Sequence, residues 1–206
     1  MRAVSSSVSL TVDDHGTGNT ISLPNEGDHA LNGQLILNGN NNHIEIGSGC
    51  LSNSIYVALG SNCDIRIGSS CNLGNLFVHA EHDARLGIGS GCGFNGLVRI
   101  LLHEAREIQV GSGCLVAGDV DVTVSDMHSI VDAITGERIN PARDIMIEER
   151  VWIGQRSMIL KGARIGMGSI IGACSLVSGE IPPNCIAAGA PARVRRSGVT
   201  WRHDLI

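Results

Sequence analysis

The sequence predicts an all-β fold in which short parallel strands, joined by tight corners, wind into a solenoid. Between residues 147 and 177 an aliphatic residue occupies every sixth position, and a small or aliphatic residue follows each one after four residues. Six residues rotate an α-helix by about 240°, which would scatter these side chains, whereas in an extended chain they face one side. The aliphatic series is Ile147, Ile153, Ile159, Ile165, Ile171 and Val177, and the second series is Val151, Ser157, Ala163, Ser169, Ser175 and Ile181.

The composition supports the same fold. The 206-residue chain has 27 glycines but only two Phe, two Trp and one Tyr. A wide globular core ordinarily uses aromatic side chains, whereas a narrow solenoid interior is filled by β-branched and small ones. Glycine or asparagine is expected wherever the backbone turns at positive φ. We therefore expect one solenoid domain over residues 1–206.

Upstream of residue 147 the repeat is longer. Ile46, Ile67, Ile88 and Val110 each precede a glycine, at spacings of 21, 21 and 22 residues. Three hexapeptides make 18 residues, so each upstream coil should carry three or four additional residues at a corner or bulge. The segments ISLPNEG and LNGNNNHIEIG are interpreted as the first coils, with polar corners.

Four of the seven cysteines share one repeat position, each at the end of a short motif rich in glycine and serine. Stacked coils lie about 4.8 Å apart, so these thiols should form a ladder. The thiols could bind a metal or undergo redox chemistry, or they could serve only as small side chains that pack in the interior. The absence of any CxxC spacing favours packing. The four residues are Cys50, Cys71, Cys92 and Cys114.

One segment departs from the repeat. Residues 125–144 (SDMHSIVDAITGERINPARD) are polar and interrupt two regular stretches. Loops on rigid scaffolds commonly carry functional residues, so the site is predicted here. Further on, Pro182 and Pro183 have no backbone N–H to donate to a neighbouring strand, which indicates that the repeat ends there. Residues 182–206 are therefore predicted to form a C-terminal tail.

Charge and hydropathy exclude several classes of function. The net charge is −5 and the basic residues are dispersed, which argues against a nucleic-acid-binding face. No run of 18 apolar residues is present, and the N-terminal segment MRAVSSSVSL lacks the apolar stretch of a signal peptide. We therefore expect no membrane span, and a cytoplasmic protein.

Two residues stand out as candidates for chemistry. His128 lies in the polar loop, and an imidazole with a pKa near 6.5 suits a general base at neutral pH. Trp152 lies between Val151 and Ile153, two inward positions, so its indole should point outward beside that histidine. An exposed tryptophan is typical of a surface that a ligand covers.

From Ser125 to Trp201 the chain resembles the hexapeptide-repeat acyltransferases, in particular the bacterial sugar and capsular-polysaccharide O-acetyltransferases, including the polysialic acid type. The resemblance rests on the segments SDMHSI, GERIN, VWIG, ILKGARIG, IGACSLV and IPPNCIAAGAPARVRR. It implies a left-handed parallel β-helix, a homotrimer, acetyl-coenzyme A bound between neighbouring subunits, and a saccharide hydroxyl as acceptor.

The resemblance also implies roles for individual residues. His128 matches the catalytic histidine, Trp152 the tryptophan at the active site, and Asn95 an asparagine that helps to hold the oxyanion. The coenzyme contacts implied are Trp152, Gln155, Ala173, Ser178, Arg193 and Arg196. At Ser178 and Gly179 the family often has Thr-Lys, so one phosphate contact is missing here. No metal is expected.

Three alternatives remain open from the residues. The same fold hosts γ-class carbonic anhydrases, in which three histidines bind zinc, and His79, His82, His103 and His128 would be the candidate ligands here. A non-enzymatic solenoid, used as a scaffold or for ice binding, would present a flat face of repeated threonine. Within the acyltransferases, N-acetylation of an amino sugar or acetylation of a small molecule stands beside polysaccharide O-acetylation.

Overall fold

The computed structural model describes residues 10–25 and 27–206, and these residues form 22 strands and no helix. The chain winds into a left-handed β-helix with a triangular cross-section, as the sequence and the resemblance predict. Residues 1–9 and Glu26, which belongs to the segment interpreted as a first coil, lie outside the described residues. No described element could cross a membrane as a helix.

Each side of the triangle is one sheet. The first sheet contains β1 (Leu10–Asp14), β3 (Gly33–Leu37), β5 (Ser54–Ser61), β7 (Asn75–His82), β10 (Leu97–Leu102), β13 (Val120–Thr123), β16 (Met158–Leu160) and β19 (Leu176–Val177). The second contains β2 (Thr20–Ser22), β4 (His43–Ile46), β6 (Asp64–Ile67), β8 (Arg85–Ile88), β11 (Glu107–Val110), β14 (Ile145–Ile147), β17 (Arg164–Ile165) and β20 (Glu180–Ile181). The third contains β9 (Gly93–Phe94), β12 (Leu115–Val116), β15 (Trp152–Ile153), β18 (Ile170–Ile171), β21 (Cys185–Gly189) and β22 (Ala192–Ser197).

The six-residue repeat fills the interior of the helix. Every residue of both predicted series between 147 and 181 is buried, and none is more than 4% exposed. Aliphatic and small residues alternate along the coil because each side contributes one large side chain and each corner one small one. The predicted interior positions are confirmed.

The four repeated cysteines are buried in this interior, where each thiol donates to a backbone carbonyl of the following coil. The Sγ–O distances are 3.2 Å from Cys50 to Gly68 and 3.2 Å from Cys92 to Gly111. The hydrogen bond with Cys114, and further burial, raise the pKa of Cys92 to about 11. A protonated buried thiol behaves as a small packing residue, as expected from the sequence.

The additional residues of the upstream coils lengthen strands of the first sheet. Strands β5 and β7 each have eight residues, whereas β16, in the strict region, has three. The prediction that these residues form a corner or bulge is therefore wrong. The longer strand keeps the inward and outward alternation, since Leu76, Val78 and Ala80 of β7 are all buried, so the added length does not disturb the packing of the interior.

The corners are turned by residues that tolerate positive φ. Asn41, Asn62 and Asp83 occupy one corner of successive coils with φ of 57°, 59° and 52°. Their side chains are also stacked: the Asn62 amide donates to Asp83 Oδ1 at 3.0 Å. Short polar side chains adopt this conformation at lower cost than other residues, which explains the asparagine-rich segments.

The ladder continues into the segment predicted as the tail. Strand β21 pairs in parallel with β18, and only then does the chain reverse, so that β22 pairs antiparallel with β21. Beyond β22, Trp201 folds back and is 6% exposed. Residues 185–201 therefore extend and cover the third sheet.

Candidate active site

The loop at residues 125–144 leaves the helix between the first and second sheets, which we call the loop edge. One buried side chain, Asn140, holds the segment that carries His128. The Asn140 amide donates to the His128 carbonyl at 2.9 Å and to Asp126 Oδ2 at 2.7 Å. Its oxygen accepts from the Ile130 N–H at 2.7 Å. The position of the His128 backbone is thus set from within the loop.

The next coil anchors the same segment. Lys161, which follows β16 at the loop edge, forms an ion pair with Asp126 and donates to the Asn140 carbonyl at 3.1 Å. The Lys161 ammonium, and after it the Asn140 amide, lower the pKa of Asp126. Asp126 is therefore ionised at neutral pH, two residues from His128.

The previous coil supplies a second anchor. Arg138 makes two hydrogen bonds of 2.7 Å to the two carboxylate oxygens of Glu104, and Ser125 donates to the same carboxylate. Arg138 and then Ser125 hold the pKa of Glu104 at about 2. A bidentate guanidinium–carboxylate pair fixes geometry as well as charge, so it ties the returning arm of the loop to the coil below.

The far end of the loop is a short hairpin with an apolar surface. Val131 and Arg138 form an antiparallel bridge, and beyond it the chain turns through residues 132–137. Ile134, at the turn, is 95% exposed. The exposed apolar side chains of the loop are Met127, Ile130, Val131, Ile134 and Ile139. Such a cluster on a surface loop is typical of a contact with another protein surface.

The His128 side chain is exposed. Among the described residues of one chain, none makes a hydrogen bond or ion pair with its ring nitrogens. Both nitrogens are therefore accessible, one to an acceptor hydroxyl and the other to an orienting group from outside the chain.

Trp152 lies on the third sheet, in β15, and points outward as predicted: it is 39% exposed. Trp201 packs against it, with ring centroids 6.2 Å apart. The Trp201 indole N–H donates to the Arg150 carbonyl at 2.6 Å, and the Arg150 guanidinium lies 5.9 Å from the Trp201 ring. The C-terminal segment thus supports one side of Trp152 and leaves the other side open.

Three of the predicted residues align along a different edge, between the third and first sheets, which we call the Gln155 edge. Asn95, Gln155 and Ala173 each follow a strand of the third sheet in a different coil. The Gln155 carbonyl accepts from the Cys174 N–H at 2.8 Å, and its side-chain amide donates to Asp119 at 3.3 Å. Coils approach closely here: a Cβ on Gly154 would lie 2.5 Å from the Ala173 nitrogen.

The remaining predicted coenzyme contacts lie near the C-terminal end of the solenoid. Ser178 and Gly179 follow β19 at the loop edge and line a small cavity of about 140 Å³ together with Arg193. Arg193 and Arg196 lie on β22 and are exposed. Among the described residues, neither arginine forms an ion pair, so both can meet an anionic ligand.

One chain does not bring the predicted site residues together. His128 belongs to the loop edge, Trp152 to the face of the third sheet, and Asn95 and Gln155 to the Gln155 edge. That Trp152 and His128 lie side by side in a site formed between neighbouring subunits therefore stays a prediction. A site that uses both residues requires the loop edge of one copy to meet the third sheet or the Gln155 edge of another.

Sequence analysis did not single out the residues that hold the loop. Asn140 lies in GERIN and Lys161 in ILKGARIG, two of the segments on which the resemblance rests. Their motifs were thus visible, but their function was not, because the contacts join residues 14 and 35 positions apart.

Comparison with known proteins agrees with this fold. A family model described as "Bacterial transferase hexapeptide (six repeats)" matches residues 144–179. The polysialic acid O-acetyltransferase of Escherichia coli O1:K1 / APEC is 34% identical over 94 residues, which are 46% of this chain and 31% of that protein. The polysialic acid O-acetyltransferase of Neisseria meningitidis is 30% identical over 129 residues, 63% of this chain and 60% of that protein. The chain thus spans less than two thirds of these relatives.

Solved structures match over a larger share of the chain. The polysialic acid O-acetyltransferase OatWY superimposes with a TM-score of 0.87 and 28% identity, covering 96% of this chain and 93% of that one. The polySia-specific acetyltransferase NeuO superimposes with a TM-score of 0.79 and 29% identity, covering 95% and 89%. The structural similarity therefore includes the upstream coils. In those coils the sequence resembles the family only in its repeat pattern and not in specific motifs.

Proposed function

We propose that the chain transfers an acetyl group from acetyl-coenzyme A to a hydroxyl of a sugar polymer. The proposal is supported by its similarity to the bacterial hexapeptide transferases and to the polysialic acid O-acetyltransferases. The observation that carries the proposal is His128: its backbone is held by Asn140 while its ring is free. This is the arrangement that a general base requires, a fixed position and an accessible nitrogen.

The chemistry needs one proton transfer. A sugar hydroxyl is a poor nucleophile at neutral pH, so the His128 imidazole accepts its proton as the oxygen attacks the thioester carbonyl. The C–S bond then breaks, and the proton leaves with the coenzyme thiolate. No acyl-enzyme is required because the thioester is already activated, and the buried cysteines have no role as nucleophiles.

The donor would lie along the Gln155 edge. The Gln155 and Ala173 backbone would contact its thioester and pantetheine portions, and Asn95 would donate to the developing oxyanion. Donors aimed at that oxygen are worth several kcal/mol where water is excluded. Arg193 and Arg196 would make charge-assisted hydrogen bonds with the phosphates, and Ser178 lies close to the same end of the solenoid.

The working unit would be a homotrimer. The exposed apolar hairpin of the loop needs a partner surface, and His128 and Trp152 can share one site only across an interface between two copies. A third copy closes the ring, since a heterologous contact repeated around a three-fold axis leaves no open end. The cytoplasmic location expected from the sequence remains part of the proposal.

The acceptor is proposed as a surface or capsular polysaccharide by similarity to the relatives above. The test is acetyl transfer from acetyl-coenzyme A to a panel of polysaccharides, sugars, amino sugars and small alcohols, with His128→Ala as the control. Transfer to a polysaccharide hydroxyl that the variant abolishes is the expected result. Transfer to an amino sugar alone would show that the acceptor is an amino sugar and not a polysaccharide. The absence of transfer to any acceptor would overturn the proposal.

A further inference from the structure

Three side chains of metal-ligating type meet on the outer face of the first sheet, and none of them is among the proposed catalytic residues. His79 and Glu81 lie two positions apart in β7, so both point outward, and His103 follows β10 in the next coil. The pairing of His79 with Leu101 brings His103 level with Glu81. Parallel strands about 4.8 Å apart thus place the three side chains side by side.

The distances suit a metal ion. His79 Nε2 lies 2.9 Å from Glu81 Oε1, and the rings of His79 and His103 have centroids 5.0 Å apart at an angle of 42°. One ligand atom from each of the three residues lies within 4.8 Å of the others. Ligand atoms at about 2.1 Å from a tetrahedral ion are separated from one another by roughly 3.4 Å. A small rotation of the side chains would therefore bring all three ligand atoms to coordination distance of one ion.

We propose that His79, Glu81 and His103 form a binding site for a divalent transition-metal ion such as Zn²⁺ or Co²⁺. Two imidazole nitrogens and one carboxylate oxygen are the donors that this class of ion prefers, whereas Mg²⁺ and Ca²⁺ prefer oxygen ligands throughout. The side chains of His79 and Glu81 are 32% and 46% exposed, so an ion enters from solvent and keeps an open position for water.

The site differs from the zinc set considered from the sequence. His128 is not part of it, because that residue lies in the loop beyond the edge of the sheet, and Glu81 takes the place of a third histidine. The proposal departs from the expectation of no metal only as regards binding, and the ion has no part in acetyl transfer. The ion has a structural effect, joining β7 to the end of β10, where the next residue is the loop anchor Glu104.

The test is metal titration of the chelator-treated full chain with Co²⁺ and Zn²⁺, followed by calorimetry, the visible absorption of Co²⁺ and the melting temperature. We expect one ion per chain, a Co²⁺ spectrum with nitrogen ligands and a higher melting temperature. His103→Ala and Glu81→Gln should each weaken binding at least about tenfold, as even outer-shell changes do at metal sites.

His15→Ala is the matched control, because His15 is also an exposed histidine beside a carboxylate, 3.2 Å from Asp13, but has no third ligand. It should bind the ion as the unmodified protein does. Glu81→Gln preserves the size of the side chain and keeps the test decisive should His103→Ala fail to fold. Equal binding by the unmodified chain and Glu81→Gln, or an equal loss in His15→Ala, would overturn the proposal. Acetyl transfer takes no part in these readouts.

Discussion

The amide of Asn140 donates to the backbone carbonyl of His128 at 2.9 Å, across twelve residues of loop. Asn140 is only 8% exposed, and its amide also satisfies the Asp126 carboxylate and the Ile130 N–H. Together with Lys161 and the Arg138–Glu104 pair, Asn140 thus holds the proposed catalytic segment in place, and it does so without a hydrogen bond to the imidazole.

Asn140→Ala should therefore reduce turnover while the solenoid stays folded. The change removes this partner from four polar groups of the loop, the His128 carbonyl, the Asp126 carboxylate, the Ile130 N–H and the Arg138 guanidinium. The cost is about 1–3 kcal/mol for each group that water does not reach. We expect hydrogen exchange to increase in residues 125–144 and to remain unchanged in the buried strands. Gln34→Ala on the outer face of β3 is the control. Unchanged exchange in the loop would show that Asn140 has no positioning role.

His128→Ala should lower turnover by about 10²- to 10⁴-fold, because it removes the proposed base. Affinity for the donor should be nearly unchanged, since the ring contacts the acceptor hydroxyl and not the coenzyme. Steady-state kinetics with varied acetyl-coenzyme A separate the two effects. Full activity in this variant would exclude His128 as the base.

The ion pair between Glu104 and Arg138 predicts a pH dependence of stability. The pKa of Glu104 is held at about 2 in the folded chain, against 4.5 for the free side chain. The contribution of Glu104 is therefore complete above about pH 4.5 and is lost as the pH falls towards 2. The free energy of unfolding of the unmodified chain should exceed that of Glu104→Gln at pH 6, and the difference should shrink below pH 4.5. A constant difference from pH 6 to 3 would contradict this.

Trp152 should contribute mainly to turnover, and Trp201 mainly to the stability of the fold. Trp152→Ala should lower turnover about ten- to a hundredfold through misplacement of substrate, with a small change in melting temperature because its indole is outside the core. Trp201→Ala should instead destabilise by about 3–5 kcal/mol, as the loss of a large buried side chain does. Melting curves and kinetics on both variants make the comparison. A large fall in melting temperature with normal turnover in Trp152→Ala would make Trp152 a structural residue.

A composite site predicts complementation between two inactive variants. His128 and Trp152 lie on different faces of one chain, so an interface formed by Trp152→Ala and His128→Ala chains can carry both intact residues. After denaturation and refolding of an equal mixture, roughly a quarter of the interfaces in a cyclic trimer should be intact. Activity should recover accordingly, and the native mass should be three times the chain mass. No recovery, or an active monomer, would contradict the composite site.

The interior of the solenoid was predictable residue by residue. A six-residue period in Ile153, Ile159 and Ile165 constrains each side of the coil locally, because one large side chain must point inward on every side. The outward direction of Trp152 follows from the same alternation. The longer strands of the first sheet did not follow, since a spacing of 21 residues is compatible with an insertion at any point of the coil.

The sequence by itself determined the winding of the chain, the content of its interior and the segment that leaves it, because these depend on neighbouring residues and on a short period. Only the tertiary structure decided which residues share an edge. His128 and Trp152 are 24 positions apart, as are His79 and His103, yet the first pair lies on different faces and the second pair in contact. The reason is physical: position around the solenoid is the sum of all strand and corner lengths in between, and a twenty-residue loop adds length without adding rotation.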